Sequence, residues 1–486
     1  MNPAGRSMGW IELLDGLARP DVDVQLGDVC LDSRQVRPGA AFVAVAGASG
    51  HGLDYLDQAL AAGAVAVLHD GQAVVPRHVP VPVLEVAGLG GHLATLARRF
   101  WGDAGNMDLV AVTGTNGKTS VAWLLAQALD GAMFGTLGIG RPGRHRPGTH
   151  TTPDVLSVYR ELATLAAEGI DRVVLEASSH ALAQGRLDGL RLRSVIFTGF
   201  GHDHLDYHRD LDAYFAAKLR LFTDFESDRQ ILNLDDAYGR LIDDQLSGRA
   251  GRLGYTLSDR GDAPARIRAE RIDLGGLAAV MAIDDEEIAL ASSLIGRINL
   301  HNLAIVALEL RARGVSPHDI AARVGALKPV PGRMQVLGNG RGRLAVIDYA
   351  HTPDALENVL LSLRELGPER LWCVFGCGGE RDQAKRPRMG RIAESLADRV
   401  ILTDDNPRSE DGTAIVRAIQ AGLRRPERSR VIRDRAGAIR TALAESSSGD
   451  LVLVAGKGHE TEQVIGERRL AFSDADVVRR FLEEAA

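Results

Sequence analysis

The segment TGTNGKTS, residues 113–120, lies between two apolar runs, residues 109–112 and 121–129. This order predicts a strand, a glycine-rich turn and a helix. Backbone N–H groups of such a turn and of the helix N-terminus bind an anion, a lysine adds positive charge, and a following hydroxyl can bind Mg²⁺. A coincidental glycine turn would not explain Gly-Lys-Thr-Ser between two apolar runs. The segment therefore predicts a nucleotide-binding loop.

The spacing of this loop departs from the common phosphate-binding loop. The common pattern has a glycine five residues before the Gly-Lys pair. That position is Val112, and the first glycine is Gly114, so the turn is shorter.

Length and composition are those of an ordinary globular protein. The chain has 486 residues, of which 45% are hydrophobic and 25% charged, and such a length predicts roughly three domains. The net charge of −7 argues against nucleic acid as the main partner. Three cysteines, Cys30, Cys373 and Cys377, do not suggest a disulfide framework. We find neither an export signal nor a membrane span, and we expect a cytoplasmic protein.

The order of apolar runs and turn signals predicts an α/β protein of three domains. Residues 1–105 have the short apolar stretches of a small α/β domain. In residues 106–331, strands alternate with helical stretches, which predicts a parallel sheet that loosens after about residue 250. A Pro- and Gly-rich joint at 327–334 precedes a second βα series in residues 332–486, which predicts a Rossmann-like domain.

Four predicted strands of the third domain each end in a polar or glycine-rich cluster. Ligands of open α/β sheets bind outside the carboxyl ends of strands, so these clusters predict one ligand pocket. The clusters are DYAHTPD (348–354), GCGGERD (376–382), DDNPR (404–408) and AGKGHE (455–460).

Acidic and histidine side chains near two central strand ends suggest a metal site beside the nucleotide. Glu176 follows one strand, and His204 and Asp206 follow the next. Mg²⁺ needs few protein ligands because it keeps water and phosphate oxygens. A zinc site at His202, His204 and His208 is a weaker interpretation, since the spacing lacks the HExxH pattern. The alternative is that Asp203 and Asp206 cap the following helix and that His202 and His208 lie on its surface.

Lys218 lies in DAYFAAKLRLF, a predicted helix of mostly apolar character. Judged from this local pattern alone, we expect a surface lysine whose stem lies along the helix while its ammonium reaches water.

Taken together, these residues resemble the Mur ligases, ATP-dependent amide synthetases that build the peptide of bacterial cell-wall precursors. The resemblance spans the whole chain and includes several motifs in family order, which is far more specific than any one motif. They are TGTNGKT, EASSHAL (176–182), DHLDYH (203–208), NLHN (299–302), PGRM (331–334), DYAHTPD, and LDSRQVRPGAAFVAVAG (31–47), which is similar to a UDP-binding signature.

The resemblance implies transfer of the ATP γ-phosphoryl group to a substrate carboxylate, giving an acyl phosphate that an amine then attacks. Lys118 would hold the phosphates, Thr119 and Glu176 one Mg²⁺, and His204 a second. Lys218 falls where the family carries a lysine carbamylated by CO₂, an anion that can help hold the second Mg²⁺. The implied ATP contacts are Gly114, Thr115, Asn116, Gly117, Lys118, Thr119, Ser120, Asn302, Arg333 and Asp348.

Within the family, the similarity is greatest to members that act on UDP-N-acetylmuramoyl-L-alanyl-D-glutamate. Hydroxyls and an arginine suit its pyrophosphate and carboxylate groups. Thr151 and Thr152 could instead cap the helix that follows Pro153. The residues carried over for this substrate are Leu31, Ser33, Ala48, Ser49, Gly50, Thr151, Thr152, Ser178, Gln184 and Arg186.

The segment DNPR discriminates between amino-acid substrates. In the family this form accompanies meso-diaminopimelate, whose additional carboxylate an arginine binds through two parallel hydrogen bonds. The alternative for Arg408 is a surface ion pair with Glu410. The residues carried over for the amino acid are Arg381, Asp405, Asn406, Pro407, Arg408, Gly456 and Glu460.

The sequence departs from the family pattern in two places. One is the segment Gly199-Phe200-Gly201 before Asp-His, and the other is Ile298, where an aromatic residue is common.

Two kinds of competing interpretation remain. The first is another ligase of the same fold, either a lysine-adding ligase or a folylpolyglutamate synthetase. The second is a kinase or nucleotide-gated binding protein that forms no amide bond. We expect a monomer.

Overall fold

The N-terminal part of the chain forms a four-stranded parallel sheet in the order β3-β4-β5-β6. The computed structural model describes residues 6–47, 50–148, 150–204, 207–258, 263–284, 286–338 and 342–484, with only the backbone of Ala269. The elements are β1 (Met8–Gly9), α1 (Trp10–Leu13), β2 (Gln25–Leu26), β3 (Asp28–Cys30), β4 (Ala40–Ala44), α2 (Leu56–Ala61), β5 (Ala66–His69), β6 (Val83–Glu85) and α3 (Leu89–Trp101).

The central part is built on a sheet of eleven strands in the order β10-β9-β8-β11-β7-β12-β13-β14-β15-β16-β17. Its elements are β7 (Asp108–Thr113), α4 (Lys118–Ala128), β8 (Ala132–Gly135), β9 (Gly138–Arg141), β10 (Arg144–Arg146), α5 (Val155–Ala167), β11 (Arg172–Glu176), α6 (Ser179–Ala183), β12 (Leu192–Phe197), α7 (Leu211–Thr223), β13 (Ser227–Asn233), α8 (Ala237–Gln245), β14 (Arg252–Thr256), β15 (Ala265–Asp273), β16 (Gly276–Ile283), β17 (Glu286–Ser292), α9 (Arg297–Ala312) and α10 (Pro317–Gly325).

This central sheet is mixed, whereas the sequence predicts a parallel one. β11 pairs in parallel with both β7 and β8, as predicted. β15, β16 and β17 pair antiparallel, as do β8, β9 and β10. Only Leu274 and Gly275 join β15 to β16, and so short a link allows an antiparallel hairpin but no parallel crossover.

The C-terminal part forms a six-stranded sheet in the order β18-β19-β23-β20-β21-β22. Only β18 is antiparallel to its neighbour, which confirms the predicted βα series. Its elements are β18 (Gln335–Leu337), β19 (Leu344–Asp348), α11 (Pro353–Arg364), β20 (Leu371–Phe375), α12 (Lys385–Leu396), β21 (Arg399–Leu402), α13 (Gly412–Gln420), β22 (Ser429–Val431), α14 (Arg435–Glu445), β23 (Leu451–Ala455), β24 (Glu462–Ile465), β25 (Arg468–Ala471) and α15 (Asp474–Glu484).

The α/β class is therefore confirmed, with the central sheet mixed. By compactness, the chain divides into two units. The first comprises residues up to Thr113, Leu129–Ile196 and Phe215–Gln230, and the second comprises Gly114–Ala128, Phe197–Tyr214 and residues from Ile231 onward. Among the helices that the structure describes, none is long and apolar enough to cross a bilayer.

Candidate functional site

The glycine loop leads from β7 into α4, as the sequence predicts. Gly114 has φ +145° and Gly117 has φ +88°. A Cβ atom added to Gly114 would lie 1.9 Å from Thr198 Oγ1, so any larger residue would displace the loop. The loop conformation thus depends on glycine at this position.

Lys118 is the first residue of α4, and its side chain turns back over the loop. Its Nζ donates to the carbonyls of Gly114 at 2.8 Å and Thr115 at 2.9 Å. Asn116 is exposed, Thr119 is buried and Ser120 is half-buried. A lysine and a helix N-terminus are thereby placed together, which is the combination that binds phosphate.

Thr115 connects the glycine loop to the Gly199–Gly201 segment that departs from the family pattern. Its backbone N–H donates to Gly199 O at 2.9 Å, and its Oγ1 accepts from Gly201 N–H at 2.9 Å. Phe200 lies between the rings of Tyr214 and Tyr238, with centroid distances of 5.0 and 4.1 Å. The Gly199–Gly201 segment therefore holds the glycine loop through backbone hydrogen bonds to Thr115.

The structure corrects the interpretation of the residues after β12. Asp203 does not cap α7, because the Ala213 N–H in the first turn donates to Asp210 at 2.8 Å. His208 is buried rather than on a helix surface, whereas the His202 side chain is 59% exposed. Asp206 lies outside the described residues.

His204 has φ +55°, a left-handed conformation that is uncommon for a non-glycine residue. Its Nε2 lies 3.5 Å from Asp203 Oδ2, and its side chain is 41% exposed. The ring is thus accessible beside a carboxylate.

Glu176 ends β11 and is nearly fully buried, with a relative exposure of 1%. Its Oε1 accepts from the Thr136 N–H at 2.8 Å, and its Oε2 accepts from Thr136 Oγ1 at 3.2 Å. Thr136 follows β8, the strand beside β11, and sequence reasoning missed it. Its position directly after an apolar strand was the available signal.

Thr151 and Thr152 do not cap the following helix, because Asp154 does so by accepting from the Ser157 N–H at 3.0 Å. Thr151 Oγ1 lies 3.0 Å from Thr136 Oγ1. Thr152 Oγ1 donates to Glu176 O at 2.5 Å. The Thr152 hydroxyl thus contacts Glu176 directly, and the Thr151 hydroxyl is connected to Glu176 through Thr136.

Three further residues predicted to bind the UDP substrate are joined to Thr152. Ser178 Oγ lies 3.4 Å from Thr152 Oγ1 and caps the short helix α6. Arg186 donates to Thr152 O at 2.6 Å and, through Nε and Nη2, to Gln184 Oε1 at 2.9 and 2.6 Å. The arginine is thereby held in one orientation.

The predicted UDP contacts of the N-terminal part follow β3 and β4. Leu31 is half-buried, and Ser33 is buried with its hydroxyl donating to Gln58 Oε1 at 2.7 Å. Gly50 is exposed. Ala48 and Ser49 lie outside the described residues.

Lys218 is buried within α7, with a relative exposure of 1%. The expectation of a surface lysine from its local pattern is therefore wrong. An ammonium in such a place is costly unless it is paired or chemically modified.

The residues carried over for adenine, ribose and phosphate lie on α9 and around β19. Asn302 is buried and donates to Asn299 Oδ1 at 3.0 Å. The Arg333 guanidinium lies 4.3 Å from the ring centroid of Tyr349. Asp348 accepts from the Met334 and Ala350 N–H groups at 2.7 and 2.8 Å, while burial raises the pKa of its carboxyl.

The four strand-end clusters of the C-terminal sheet follow the neighbouring strands β19, β23, β20 and β21. Arg408 has φ +52°, and its Nη1 donates to Gly379 O at 2.6 Å. The alternative interpretation, a surface ion pair between Arg408 and Glu410, is wrong, because Glu410 pairs with Arg386 at 2.9 Å. The clusters after β20 and β21 are therefore linked through Arg408.

The loop after β21 also contacts the loop after β23. Asn406 Nδ2 donates to Glu460 Oε2 at 2.8 Å. A Cβ atom on Gly456 would lie 2.5 Å from Asp405 Oδ2. Pro407 accepts a backbone hydrogen bond from Glu410 at 3.1 Å, and Arg381 is exposed. Among the described residues, no group of three His, Cys, Asp or Glu side chains could hold a metal.

Comparison with known proteins identifies the family. The Mur ligase family catalytic domain matches residues 27–101, the Mur ligase middle domain 112–309, and the Mur ligase glutamate ligase domain 332–458. UDP-N-acetylmuramoyl-L-alanyl-D-glutamate–2,6-diaminopimelate ligases are similar along the chain. The protein of Xanthomonas campestris pv. campestris is 45% identical, with 98% of each chain covered. That of Alkalilimnicola ehrlichii is 44% identical, with 98% of this chain and 97% of the relative covered. A solved structure of such a ligase has a TM-score of 0.69 at 33% identity, with 99% of both chains covered. The family domains match most of the chain, and its relatives are similar along its whole length. The chain therefore belongs to the Mur ligase family.

Proposed function

We propose that this chain is an ATP-dependent ligase that adds meso-2,6-diaminopimelate to UDP-N-acetylmuramoyl-L-alanyl-D-glutamate in peptidoglycan precursor synthesis. The observation that carries the proposal is the position of the Arg408 loop among the four strand-end clusters. It is supported by an identity of 44% to 46% to UDP-N-acetylmuramoyl-L-alanyl-D-glutamate–2,6-diaminopimelate ligases. We place the reaction in the cytoplasm and expect a monomer. Fold alone would not decide the substrate, so the proposal rests on the site residues.

The glycine loop binds ATP in this proposal. Lys118 and the backbone of the loop hold the phosphates, and the hydroxyl of Thr119 lies on the same helix turn. Asn302 contacts adenine, while Arg333 and Asp348 contact ribose and phosphate. The Lys118 ammonium lies over the loop, where it donates to two loop carbonyls at 2.8 and 2.9 Å, which supports its proposed role at the phosphates.

The donor set fits Mg²⁺, which prefers oxygen ligands and keeps water and phosphate oxygens. Thr119 and Glu176 would hold one ion. His204 and Lys218, the latter as its carbamate, would hold a second. The carboxylate of Glu176 is oriented by Thr136 through two hydrogen bonds of 2.8 and 3.2 Å, as a metal ligand requires. Bound Mg²⁺ neutralises charge on the transferring phosphoryl group.

The glutamate carboxylate of the UDP substrate attacks the γ-phosphorus and forms an acyl phosphate as ADP leaves. The free amine of diaminopimelate then attacks the acyl carbon, a tetrahedral intermediate forms, and phosphate leaves with the amide bond made. Lys118 stabilises negative charge in the first step. Exclusion of water from the site protects the acyl phosphate.

Both organic substrates have proposed contacts. For the UDP substrate these are Leu31, Ser33, Ala48, Ser49, Gly50, Thr151, Thr152, Ser178, Gln184 and Arg186. For diaminopimelate, Arg408 binds the far carboxylate, and the other proposed contacts around this amino acid are Arg381, Asp405, Asn406, Pro407, Gly456 and Glu460.

The decisive experiment measures ADP release with each substrate omitted in turn. We expect release only when the UDP-dipeptide and meso-diaminopimelate are both present, together with the tripeptide product by mass spectrometry. ATP hydrolysis with neither acceptor would favour a kinase or a nucleotide-gated protein. Equal use of lysine would contradict the assignment of diaminopimelate, since lysine leaves Arg408 unpaired.

A further inference from the structure

A fully buried lysine lies between two of the residues proposed to bind diaminopimelate. Lys457 belongs to the AGKGHE loop after β23, and its side chain has 0% exposure. The sequence pattern did not mark Lys457 as a site residue, although it belongs to one of the four strand-end clusters. A buried ammonium requires polar partners, since an unpaired one is costly.

The partners of Lys457 are Asn406 and Glu460. The Lys457 Nζ donates to Asn406 Oδ1 at 3.0 Å and to Glu460 Oε2 at 2.7 Å. Asn406 Nδ2 donates to the same Glu460 oxygen at 2.8 Å. The three side chains therefore form a closed triangle of hydrogen bonds.

This triangle fixes the orientation of the Asn406 amide. Its Oδ1 also accepts from the Val464 N–H at 3.0 Å. With two donors on Oδ1, the amide nitrogen must face Glu460. Lys457 thus determines which polar group Asn406 directs toward the strand-end clusters.

The same contacts leave one oxygen of Glu460 available. Its Oε2 accepts from both Lys457 and Asn406, whereas its Oε1 accepts no hydrogen bond from the described residues. The Glu460 side chain is 32% exposed while Lys457 is not. Glu460 can therefore meet a ligand on one side while Lys457 holds it from the other.

Charge balance gives Lys457 a second effect. With Lys457 charged, the Lys457–Glu460 pair has no net charge, which suits a zwitterionic ammonium–carboxylate head group. Without Lys457, the Glu460 carboxylate would repel the carboxylate of the incoming amino acid.

We propose that Lys457 is a positioning residue for the amino-acid substrate, holding the Asn406 amide and the Glu460 carboxylate in the orientation that binds it. This inference rests on the proposed function. Lys457 itself touches no reacting atom, and it acts only through these two neighbours.

The test replaces Lys457 by methionine, which keeps the length of the stem and removes the ammonium. Hydrogen bonds to charged groups are worth about 10- to 100-fold in binding, so we expect the KM for meso-diaminopimelate to rise by about that factor. The KM values for ATP and the UDP-dipeptide should remain within twofold of wild type, measured by ADP release at saturating levels of the other substrates.

Arg370→Met is the matched control. Arg370 pairs at 2.8 Å with Asp450, whose side chain is fully buried at the amino end of β23, so its loss also breaks an ion pair of this sheet. We expect this variant to lower the Tm without raising the KM for diaminopimelate. If Lys457→Met does not fold, Lys457→Gln serves instead, with the same expected rise.

An unchanged KM for diaminopimelate in a folded Lys457 variant would overturn the inference, as would an equal rise for all three substrates. Failure of the proposed function is distinguishable, because the wild-type protein would then show no dependence on diaminopimelate.

Discussion

Arg408 is the residue on which the choice of amino acid depends. Arg408→Gly removes the guanidinium and suits the φ of +52° at this position. We expect the KM for meso-diaminopimelate to rise about 100-fold, the range of a lost bidentate contact, with ATP use unchanged. Steady-state kinetics checks this. Arg433→Ala, which removes a nearby arginine paired with Asp404 at 2.5 Å, should leave the KM unaltered; a similar rise in both variants would contradict the assignment.

The cysteines give a prediction about reactivity. Burial raises the pKa of the Cys30, Cys373 and Cys377 thiols to about 12. Because the thiolate is the nucleophile, all three should resist a thiol reagent at pH 8 in the native protein and react after denaturation. Spectrophotometric titration of thiols with and without guanidinium measures both states. Rapid reaction of even one native thiol would show that a cysteine is accessible.

At the scale of elements, α14 and α15 are joined by an ion pair between their first residues. Arg435 Nε and Nη2 donate to Asp474 at 2.7 Å each, and neither side chain is exposed. Arg435 also donates at 3.0 Å to the carbonyl of Ala455, the first residue of the AGKGHE cluster. Removing one partner leaves a buried charge, so Arg435→Leu should cost about 3–5 kcal/mol of unfolding free energy.

Denaturant unfolding measures this cost, and the same helices supply a control. Arg440 and Glu484 pair at 3.0 Å, with side chains 46% and 59% exposed, and exposed pairs contribute at most about 1 kcal/mol. Arg440→Leu should therefore be nearly neutral. A comparable loss of unfolding free energy in the two variants would contradict the prediction that the buried Arg435–Asp474 pair stabilises the fold more than the exposed pair does.

Regular elements were predictable from the sequence, because apolar periodicity and glycine positions determine them locally. β20 ends at Phe375, directly before the GCGGERD cluster that the sequence places after a strand, and the glycine turn lies between β7 and α4. Burial of single polar residues was not predictable. Lys218 and His208 are buried although their local patterns predict exposure, and the partners of the Thr151 and Thr152 hydroxyls lie at the ends of other strands. Motif resemblance supplied the proposed role of Lys218, which its local pattern did not suggest.

At the scale of the whole molecule, the hydrophobic interior is divided among separate sheets. Phe42 and Val67 belong to a cluster in the N-terminal sheet. In β23 of the C-terminal sheet, Leu453 and Val452 belong to different clusters, as alternation along a strand requires. A chain with several cores unfolds in more than one step, so we expect calorimetry to resolve more than one transition.

Ligand binding should act on these transitions selectively. A ligand at about 100 times its Kd stabilises the unit that binds it by about 2.7 kcal/mol. With the UDP-dipeptide and ADP present, added meso-diaminopimelate should raise the midpoint temperature of the transition in which the C-terminal sheet unfolds. Hydrogen–deuterium exchange should slow most in β19, β20, β21 and β23. These strands precede the clusters proposed to bind the amino acid, and their amides exchange only when the sheet opens. A single transition whose calorimetric and van't Hoff enthalpies agree would refute independent cores, and equal slowing across the N-terminal sheet would refute local binding.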